Sequence, residues 1–287
     1  MASHAVLKAQ ILSEAVPYIQ EYRGKIVVVK YGGNAMVNEF LIDNVINDVC
    51  LMNLVGIKVV LVHGGGPEIS KALARAHKES RFINGLRYTD EETVDIVQEV
   101  LAGRVNKNLV KRIAVNGNKA IGISGIDDML IETEKVEGPD DLGYVGQVKA
   151  VHPDILFDVL ERGYIPVVAS VGMDDKGQAY NVNADTAAAE IAAALGAENL
   201  LIVSDIPGLL RDKDDEQSLI VEVTVKDIEK LKNQGVIAGG MIPKTDCIVK
   251  ALESGLEKAV IIDGRVPHSI LIEIFSSEGI GTLFKKI

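Results

Sequence analysis

The feature that most constrains the fold is a series of short, strongly apolar segments separated by amphipathic ones. The first begins with four β-branched residues, Ile26 to Val29, which are typical of a strand buried on both faces. Strand candidates of this kind recur at residues 26–29, 58–62, 119–123, 165–169, 200–203 and 259–262. Helical patterns lie between most of them, at residues 38–55, 66–78, 90–115, 153–162, 184–195, 225–234 and 244–254. The alternation predicts an α/β fold in which helices cover both faces of a mainly parallel sheet.

The composition suits such a core. The chain has 287 residues, of which 47% are hydrophobic but only 4% aromatic, so Val, Ile, Leu and Ala must build the interior. The net charge of -11 argues against nucleic-acid and anionic-membrane partners. With no signal peptide and no membrane-spanning run visible, we expect a cytoplasmic protein. Cys50 and Cys247 lack metal-ligand spacing and are expected to be buried free thiols.

Two segments depart from the alternation. Residues 5–23 carry a helical apolar stripe, and Pro17 is expected to kink that helix. Because it precedes the first strand, the helix is a candidate to project from the globule. Residues 129–136 and 144–151 flank the turn-rich segment EGPDDLG and predict a β-hairpin beside the main sheet, which is a candidate lid. Any boundary between two halves is expected near residues 180–200.

Glycine-rich turns follow the first two strands. Lys30 ends the first strand and is followed by Gly32 and Gly33, and the second strand leads into His63 and then the run Gly64–Glu68, GGGPE. Exposed glycine amides beside a lysine, or at a helix start, favour anion binding. The alternative is an ordinary turn with a solvated lysine. Neither loop matches the dinucleotide-binding fingerprint or the P-loop motif.

Later loops carry further candidates. Gly239 and Gly240 precede Lys244 near a predicted helix start, where a lysine is unfavourable unless an anion is bound. The segment Ser204–Gly208 ends a buried strand and suits a ribose or adenine contact, although a plain turn explains it equally well.

Three polar residues suggest a substrate site. Arg87 can form a two-pronged pair with a carboxylate, and the alternative is a surface salt bridge. Asn181 and Asp185 lie in YNVNAD, which opens an alanine-rich helix. One of the polar residues in that motif is needed as a helix cap, which leaves the others free for ligands: Asn181 for a carboxylate and Asp185 for ammonium groups.

Taken together, these motifs resemble the amino-acid kinase family and, within it, the N-acetylglutamate kinases. The resemblance rests on KYGGNAM, VHGGGPEI, NGLRYTD, YNVNAD, SDIPGLL and GGMIPK, which occur in the order of the family. It implies a three-layer αβα sandwich with a central mainly parallel sheet. It also implies an N-terminal oligomerisation helix at residues 1–23 and a kinase domain at 24–287. The domain would divide into a substrate lobe at 24–195 and an ATP lobe at 196–287.

The resemblance assigns roles to the candidates by position. Lys30 and Lys244 would stabilise the transferring phosphoryl group with the amides of Gly33 and Gly65, and Asp185 would orient both lysines. Substrate binding falls to Gly65, Gly66, Arg87 and Asn181. Nucleotide binding falls to Lys30, Ser204, Asp205, Gly208, Gly239, Gly240 and Lys244.

The implied reaction is phosphorylation of the side-chain carboxylate of N-acetyl-L-glutamate by ATP, in arginine biosynthesis. The phosphates of ATP would be the main ligands of Mg²⁺, and we predict no metal site formed by protein side chains. An acceptor carboxylate with a pKa of about 4.3 needs no general base, so His63 is expected to be structural. The alternatives are another small-molecule kinase of the same fold, such as a carbamate or uridylate kinase, and a non-catalytic metabolite sensor.

Both ends of the chain suggest regulation. The segment from Pro267 to Phe275, with Gly279 to Thr282, resembles the signature of arginine-inhibited members of the family, which also have an N-terminal helix. The resemblance implies a hexamer, a trimer of dimers, inhibited by L-arginine bound near Tyr18, His268, Glu273 and Gly279. The alternative is an ordinary terminal helix and a frayed N-terminal arm.

Overall fold

The computed structural model describes residues 2–36, 38–83 and 85–287. Its strands are β1 (Ile26–Tyr31), β2 (Lys58–His63), β3 (Phe82–Ile83), β4 (Leu86–Arg87), β5 (Ala120–Ser124), β6 (Ile131–Lys135), β7 (Val145–Val151), β8 (Ile165–Ala169), β9 (Val171–Met173), β10 (Ala179–Val182), β11 (Asn199–Ser204), β12 (Glu222–Thr224), β13 (Lys258–Asp263) and β14 (Thr282–Lys285).

The α-helices are α1 (Ala2–Tyr22), α2 (Glu39–Leu54), α3 (Gly66–Arg75), α4 (Glu91–Gln98), α5 (Asn106–Val115), α6 (Asp154–Glu161), α7 (Ala184–Ala194), α8 (Val225–Asn233), α9 (Met241–Glu253) and α10 (Ser269–Phe275). A π-helical segment, Glu99–Val105, joins α4 to α5, so residues 91–115 form one long helix with a wide turn in its middle. A short 3₁₀ helix, Gly33–Met36, follows β1.

One eight-stranded sheet forms the centre, in the order β12-β14-β13-β11-β1-β2-β8-β5. Every neighbouring pair is parallel except β13 and β14, which are antiparallel. The first strand, β1, therefore lies between β2 and β11, and the sheet runs without a break through both halves of the chain. The carboxyl ends of β1, β2 and β11 meet at one edge, which is where open α/β sheets bind ligands.

Helices cover both faces of this sheet. Along β1, Val27 and Val29 contribute to one hydrophobic core and Val28 to the other, as strand geometry requires. The first core is closed by α2, α3, α10 and the long helix 91–115, and the second by α6, α7, α8 and α9. The predicted three-layer αβα sandwich is confirmed, and the bounds of the predicted helices and strands agree within three residues.

The predicted hairpin is part of a larger element. β6 and β7 are antiparallel and lie beside the main sheet as expected, but they close into a four-stranded barrel with β9 and β10. The sequence pattern gave no indication of β9 and β10. Asn181 therefore lies on a strand rather than at the start of the alanine-rich helix, which Asn183 caps instead.

The N-terminal helix α1 contains Pro17 and exposes most of its apolar side chains. Those of Val6, Leu7, Ile11, Leu12 and Val16 are between 46% and 71% exposed, whereas Tyr22, near its end, is buried in the first core. No helix among the described residues is both long and apolar enough to cross a membrane. Asn84, which opens the NGLRYTD motif, lies outside the described residues.

Candidate active site

Two lysines converge on one carboxylate at the carboxyl edge of the sheet. Asp185, in the first turn of α7, lies 2.8 Å from Nζ of Lys30 through Oδ1 and 2.6 Å from Nζ of Lys244 through Oδ2. Lys30 comes from the end of β1 and Lys244 from the first turn of α9, so three separate elements supply the three charges. All three side chains are at most 16% exposed. We call these residues the charge triad.

The triad carries one excess positive charge in a largely buried position. Burial by itself would raise the pKa of Asp185, but the charges of Lys30 and Lys244 outweigh it and hold that pKa well below its ordinary value. Asp185 therefore stays ionised and cannot serve as a proton acceptor near neutral pH. A buried surplus of positive charge favours an anionic ligand beside it.

Two cavities meet at the triad. The first, which we call the Arg87 cavity, has a volume of about 240 Å³ and is lined by Lys30, Asp185, Arg87, Asn181 and the glycine loops. The second, the Ser204 cavity, has a volume of about 370 Å³ and is lined by Lys244, Ser204, Asp205 and Gly240. Lys30, Gly32 and Gly33 line both cavities. A group passing from one cavity to the other would pass the two lysines.

The glycine loops place backbone N–H groups, without side chains beside them, at the junction of the two cavities. Gly33 has a positive φ of +69°, which favours glycine. Gly65 is tightly packed: a Cβ there would lie 2.7 Å from Cδ2 of Leu101 and 3.2 Å from Cγ2 of Val105, both on the π-helical segment. Gly65 and Gly66 stand at the start of α3, where backbone N–H groups have no partner within the helix. These amides are available to an anion.

Arg87 is buried, and hydrogen bonds to uncharged groups fix the orientation of its guanidinium. Its guanidinium donates to the hydroxyls of Ser80 and Ser70, the latter at 3.1 Å, and to the carbonyl of Gly66 at 3.0 Å. It also lies 4.7 Å from the ring centre of Phe82. Burial lowers the pKa of Arg87, but arginine remains charged in proteins. Within the described ranges no acidic side chain pairs with it, so the surface salt bridge considered from the sequence is not formed and a ligand carboxylate can be its counter-ion.

Asn181 faces the same cavity from β10. Its Nδ2 donates to the hydroxyl of Thr89 at 3.2 Å, and that hydroxyl in turn donates to the backbone carbonyl of Arg87 at 2.7 Å. Asn181 and the strand that carries Arg87 are thus tied together. All four predicted substrate-binding residues line the Arg87 cavity: Gly65, Gly66, Arg87 and Asn181.

The predicted nucleotide residues divide into two groups. Lys30, Ser204, Asp205, Gly240 and Lys244 line the Ser204 cavity. Gly208 and Gly239 do not: Gly208 is buried where a Cβ would lie 2.4 Å from Oγ1 of Thr282, and Gly239 turns the chain just before α9.

Comparison with known proteins agrees with this geometry. The amino acid kinase family model matches residues 25–263. Acetylglutamate kinase of Clostridium beijerinckii is 55% identical over 96% of this chain and 97% of its own length, and that of Brachyspira hyodysenteriae is 54% identical over 97% of each. The chain belongs to the amino acid kinase family, and within it to the acetylglutamate kinases. These enzymes transfer a phosphoryl group to a carboxyl group.

The fold extends to more distant proteins. The structure of N-acetylglutamate synthase from Neisseria gonorrhoeae, solved with coenzyme A and N-acetylglutamate, superposes with a TM-score of 0.86 at 24% identity. The match covers 97% of this chain and 63% of the synthase chain. At that identity the likeness concerns the fold alone.

Some residues of this acetylglutamate kinase site were not found from the sequence. Ser70 and Ser80, which hold Arg87, are ordinary helix and loop residues without a local signal. Leu101 and Ser170 also line the Arg87 cavity. The sequence signal nearest to Leu101 is Gly103, in the helical pattern at residues 90–115. An isolated glycine within a helix often marks a place where another part of the chain packs closely.

A third cavity lies at the opposite edge of the sheet. This Glu273 cavity has a volume of about 290 Å³ and is lined by the first residues of β11 and β13, Asn199 and Lys258. Tyr18, Glu273 and Gly279, three of the residues predicted to bind arginine, line it as well. The fourth, His268, does not, because its Nδ1 pairs instead with Asp48 Oδ1 of α2 at 2.6 Å.

His63 is fully buried beside the glycine loop. Its Nδ1 lies 2.8 Å from the carbonyl of Gly64 and its Nε2 lies 3.1 Å from Nδ2 of Asn106. Burial lowers the pKa of His63 to about 4, so the ring is neutral at physiological pH. It does not line the Arg87 cavity and has no route to a ligand proton.

This buried histidine predicts an acid-sensitive stability. Between pH 6.5 and 4 the unfolded chain binds a proton at His63 that the native state does not bind. We therefore expect the free energy of unfolding to fall as pH is lowered through this range, by roughly 3 kcal/mol in total. Urea unfolding of the wild type and of His63→Asn across this pH range measures the effect.

The comparison isolates His63 because both proteins share the other titrating groups. Asp48 is one of them: burial raises its pKa to about 6, against the contacts with His268, so it stabilises the native state on acidification. We expect a shallower pH slope for the variant. Equal slopes for the two proteins would contradict the assignment.

Proposed function

We propose that this chain uses ATP to phosphorylate the side-chain carboxylate of N-acetyl-L-glutamate, giving N-acetyl-L-glutamyl 5-phosphate and ADP. A carboxylate oxygen forms a bond to the γ-phosphorus as the bond to the β–γ bridging oxygen breaks, and that electron pair leaves with ADP. The observation that carries the proposal is the position of the charge triad at the junction of the Arg87 and Ser204 cavities.

The Arg87 cavity is the proposed acceptor site. Arg87 and Asn181 would bind the α-carboxylate, because Arg87 lacks an acidic partner among the described residues and its guanidinium is already held by Ser70, Ser80 and Gly66. Bidentate pairing in a buried site gives both affinity and direction. The backbone of Gly65 and Gly66 would border the side-chain carboxylate, next to Lys30.

The Ser204 cavity is the proposed ATP site. Ser204, Asp205 and Gly240 line it, and Gly208 and Gly239 would shape its loops from behind. Lysines and free amides at the junction fit the phosphate chain of ATP. Mg²⁺ would be bound mainly by the phosphates of ATP, as is usual for this ion at nucleotide sites, and would neutralise their charge.

The residues at the junction would act on charge rather than on protons. The acceptor carboxylate is ionised at neutral pH, since its ordinary pKa is about 4.3, so no base is required. Lys30, Lys244 and the amides of Gly33 and Gly65 would stabilise the negative charge on the transferring group. Asp185 would hold the two ammonium groups in place, and its depressed pKa keeps it available for that role.

We further propose that L-arginine inhibits the enzyme by binding in the Glu273 cavity. Four carboxylates line the cavity: Glu21, Glu222, Glu273 and Glu278. The buried Asn199 lines it as well, and its Oδ1 has no hydrogen-bond partner among the described residues. An acidic cavity with a free acceptor suits a cation rich in N–H donors, and Lys258 could meet the carboxylate of the ligand.

A path to the active site runs through α10 and α2. His268 begins α10 and pairs with Asp48 of α2, and the start of α2 follows the 3₁₀ helix that carries Gly33. Glu273, on α10, accepts a hydrogen bond from the backbone N–H of Ile280 at 2.9 Å. A ligand that replaced this bond would shift α10 and, through the contact between His268 and Asp48, α2.

The exposed apolar face of α1 supports a helix-mediated assembly. Among the α1 side chains that the structure describes, the five strongly exposed apolar ones all precede Pro17, whereas Tyr18 and Tyr22 line the Glu273 cavity. Pairing of two such helices would bury this face, and we propose that it joins dimers into a hexamer. The same helix would then connect the subunit arrangement to arginine binding.

The reaction and the role of the lysines are tested together. In a coupled ADP-release assay we expect activity with N-acetyl-L-glutamate and none with carbamate or UMP. Lys30→Ala and Lys244→Ala should lower kcat by about 10² or more while the KM for N-acetyl-L-glutamate changes little, since their charge matters most in the transition state. Lys250→Ala, at an exposed position of the same helix as Lys244, is the matched control. A lysine variant with near wild-type kcat refutes the role of that lysine.

The acceptor site is tested by Arg87→Lys. Lysine keeps the charge but loses the planar fork, so the KM for N-acetyl-L-glutamate should rise by about tenfold or more while the KM for ATP stays the same. Arg104→Lys, at an exposed position of the π-helical segment, serves as the control. A rise in the KM for ATP instead would place Arg87 in the nucleotide site.

Arginine inhibition is tested by Glu273→Gln. Loss of the carboxylate should raise the arginine concentration needed for half inhibition by at least tenfold and leave kcat near the wild-type value. Glu253→Gln, an exposed substitution on α9, should change neither. A wild-type enzyme that is indifferent to millimolar arginine would remove the regulatory proposal and leave the kinase proposal intact.

The assembly is tested by deleting residues 1–16. This truncation removes the exposed apolar residues but keeps Tyr18 and Tyr22, so the Glu273 cavity remains lined. Sedimentation velocity should show hexamers for the full chain and dimers for the truncated one, and Leu12→Glu should act in the same direction. The truncated enzyme should keep its kcat and lose high-affinity inhibition. A full chain that sediments as a dimer would contradict the proposal.

A further inference from the structure

We propose that His63 is a positioning residue that aims the N–H group of Gly65 at the transferring phosphoryl group. The inference rests on the proposed function, in which the Gly65 amide is one of the donors to that group. His63 itself touches neither substrate, being fully buried and absent from the walls of both cavities at the junction.

The first step concerns the peptide bond between Gly64 and Gly65. Its carbonyl oxygen lies 2.8 Å from Nδ1 of His63. No peptide bond in the described residues is cis, so the carbonyl of Gly64 and the N–H of Gly65 point in opposite directions from one planar group. Holding the carbonyl against the buried histidine therefore turns the N–H of Gly65 away from His63, and Gly65, unlike His63, lines the Arg87 cavity.

The second step concerns the proton on the ring. A carbonyl can only accept, so Nδ1 must carry the hydrogen and Nε2 must be the acceptor. Asn106 meets this requirement, because its Nδ2 lies 3.1 Å from Nε2 of His63. The orientation of the Asn106 amide is fixed in turn by the carbonyls of Val167 and Ile123, 2.8 Å and 3.2 Å from Nδ2, and by Nζ of Lys107, 3.1 Å from Oδ1.

The third step concerns the π-helical segment. Asn106 follows it directly, and Leu101 and Val105 within it close over Gly65. The wide turn thus lets one helix place two apolar side chains on the glycine loop and one amide under His63. Because π-helical turns are rare and often occur at functional sites, their use here agrees with a positioning role.

Two substitutions of His63 distinguish the roles of its two ring nitrogens. The amide nitrogen of asparagine can occupy the position of Nδ1, and the amide group of glutamine can occupy the position of Nε2. His63→Asn should keep the hydrogen bond to Gly64 and retain kcat within about threefold of the wild type. His63→Gln should keep only the contact with Asn106 and lower kcat by 10- to 100-fold, with the KM for N-acetyl-L-glutamate within threefold for both.

Thermal unfolding of both variants provides the control for a purely structural role. Similar melting temperatures with the expected split in kcat support the proposal. An equal kcat in the two variants, or a lower one in His63→Asn, overturns it. A wild type that releases no ADP with N-acetyl-L-glutamate would instead refute the proposed function.

The wild-type protein gives a second readout that does not depend on how the variants fold. Nitrogen-15 chemical shifts of labelled histidine distinguish the two neutral tautomers of the ring. For His63 we expect the Nδ1–H form throughout pH 6 to 9. Observation of the Nε2–H form would overturn the proposal, because Nδ1 could then not hold the carbonyl of Gly64.

Discussion

The charge triad is the interaction on which the rest of the site depends. Lys30 and Lys244 would repel each other in a largely buried position, and the carboxylate of Asp185 between them makes their approach possible. Each residue comes from a different element: the central strand, α7 and α9. The triad therefore forms only when the sheet and the helices on that face are correctly packed, which ties the arrangement of charge to the integrity of the fold.

The central position of β1 explains how one sheet serves two cavities. β1 pairs with β2 on one side and β11 on the other, so Lys30 stands between the strand that leads to the glycine loop and the strand that leads to Ser204. Because the parallel register fixes these three strand ends relative to one another, the two cavities meet at a constant place. The four-stranded barrel, which carries Asn181, is a separate sheet and is not held by this register.

The sequence predicted the long helices and strands and the residues whose local positions are unfavourable. It missed the features that depend on tertiary contacts. Runs such as Ile26–Val29 have a clear period, whereas β9 and β10, of three and four residues, are too short to show one. Lys30 and Lys244 stood out because a lysine at a buried strand end or a helix start is locally unfavourable. Ser70 and Ser80 are unremarkable until the fold brings them to Arg87. Gly208, which the family resemblance assigned to nucleotide binding, packs on Thr282 rather than lining the Ser204 cavity.

The two ends of β11 show why any regulation must pass through helices. Asn199 opens the strand in the Glu273 cavity, and Ser204 ends it in the Ser204 cavity. A strand paired on both sides in fixed register cannot slide without breaking its ladders, so it holds the cavities apart rather than linking them. The layer formed by α2 and α10 can shift more readily than the sheet, since side-chain packing and the contacts of Asp48 with His268 and with the backbone of Leu271 join these helices rather than a strand ladder. A signal from the acidic cavity would therefore reach the glycine loop of β1 through α10 and α2, and the sheet would serve as the rigid frame against which they move.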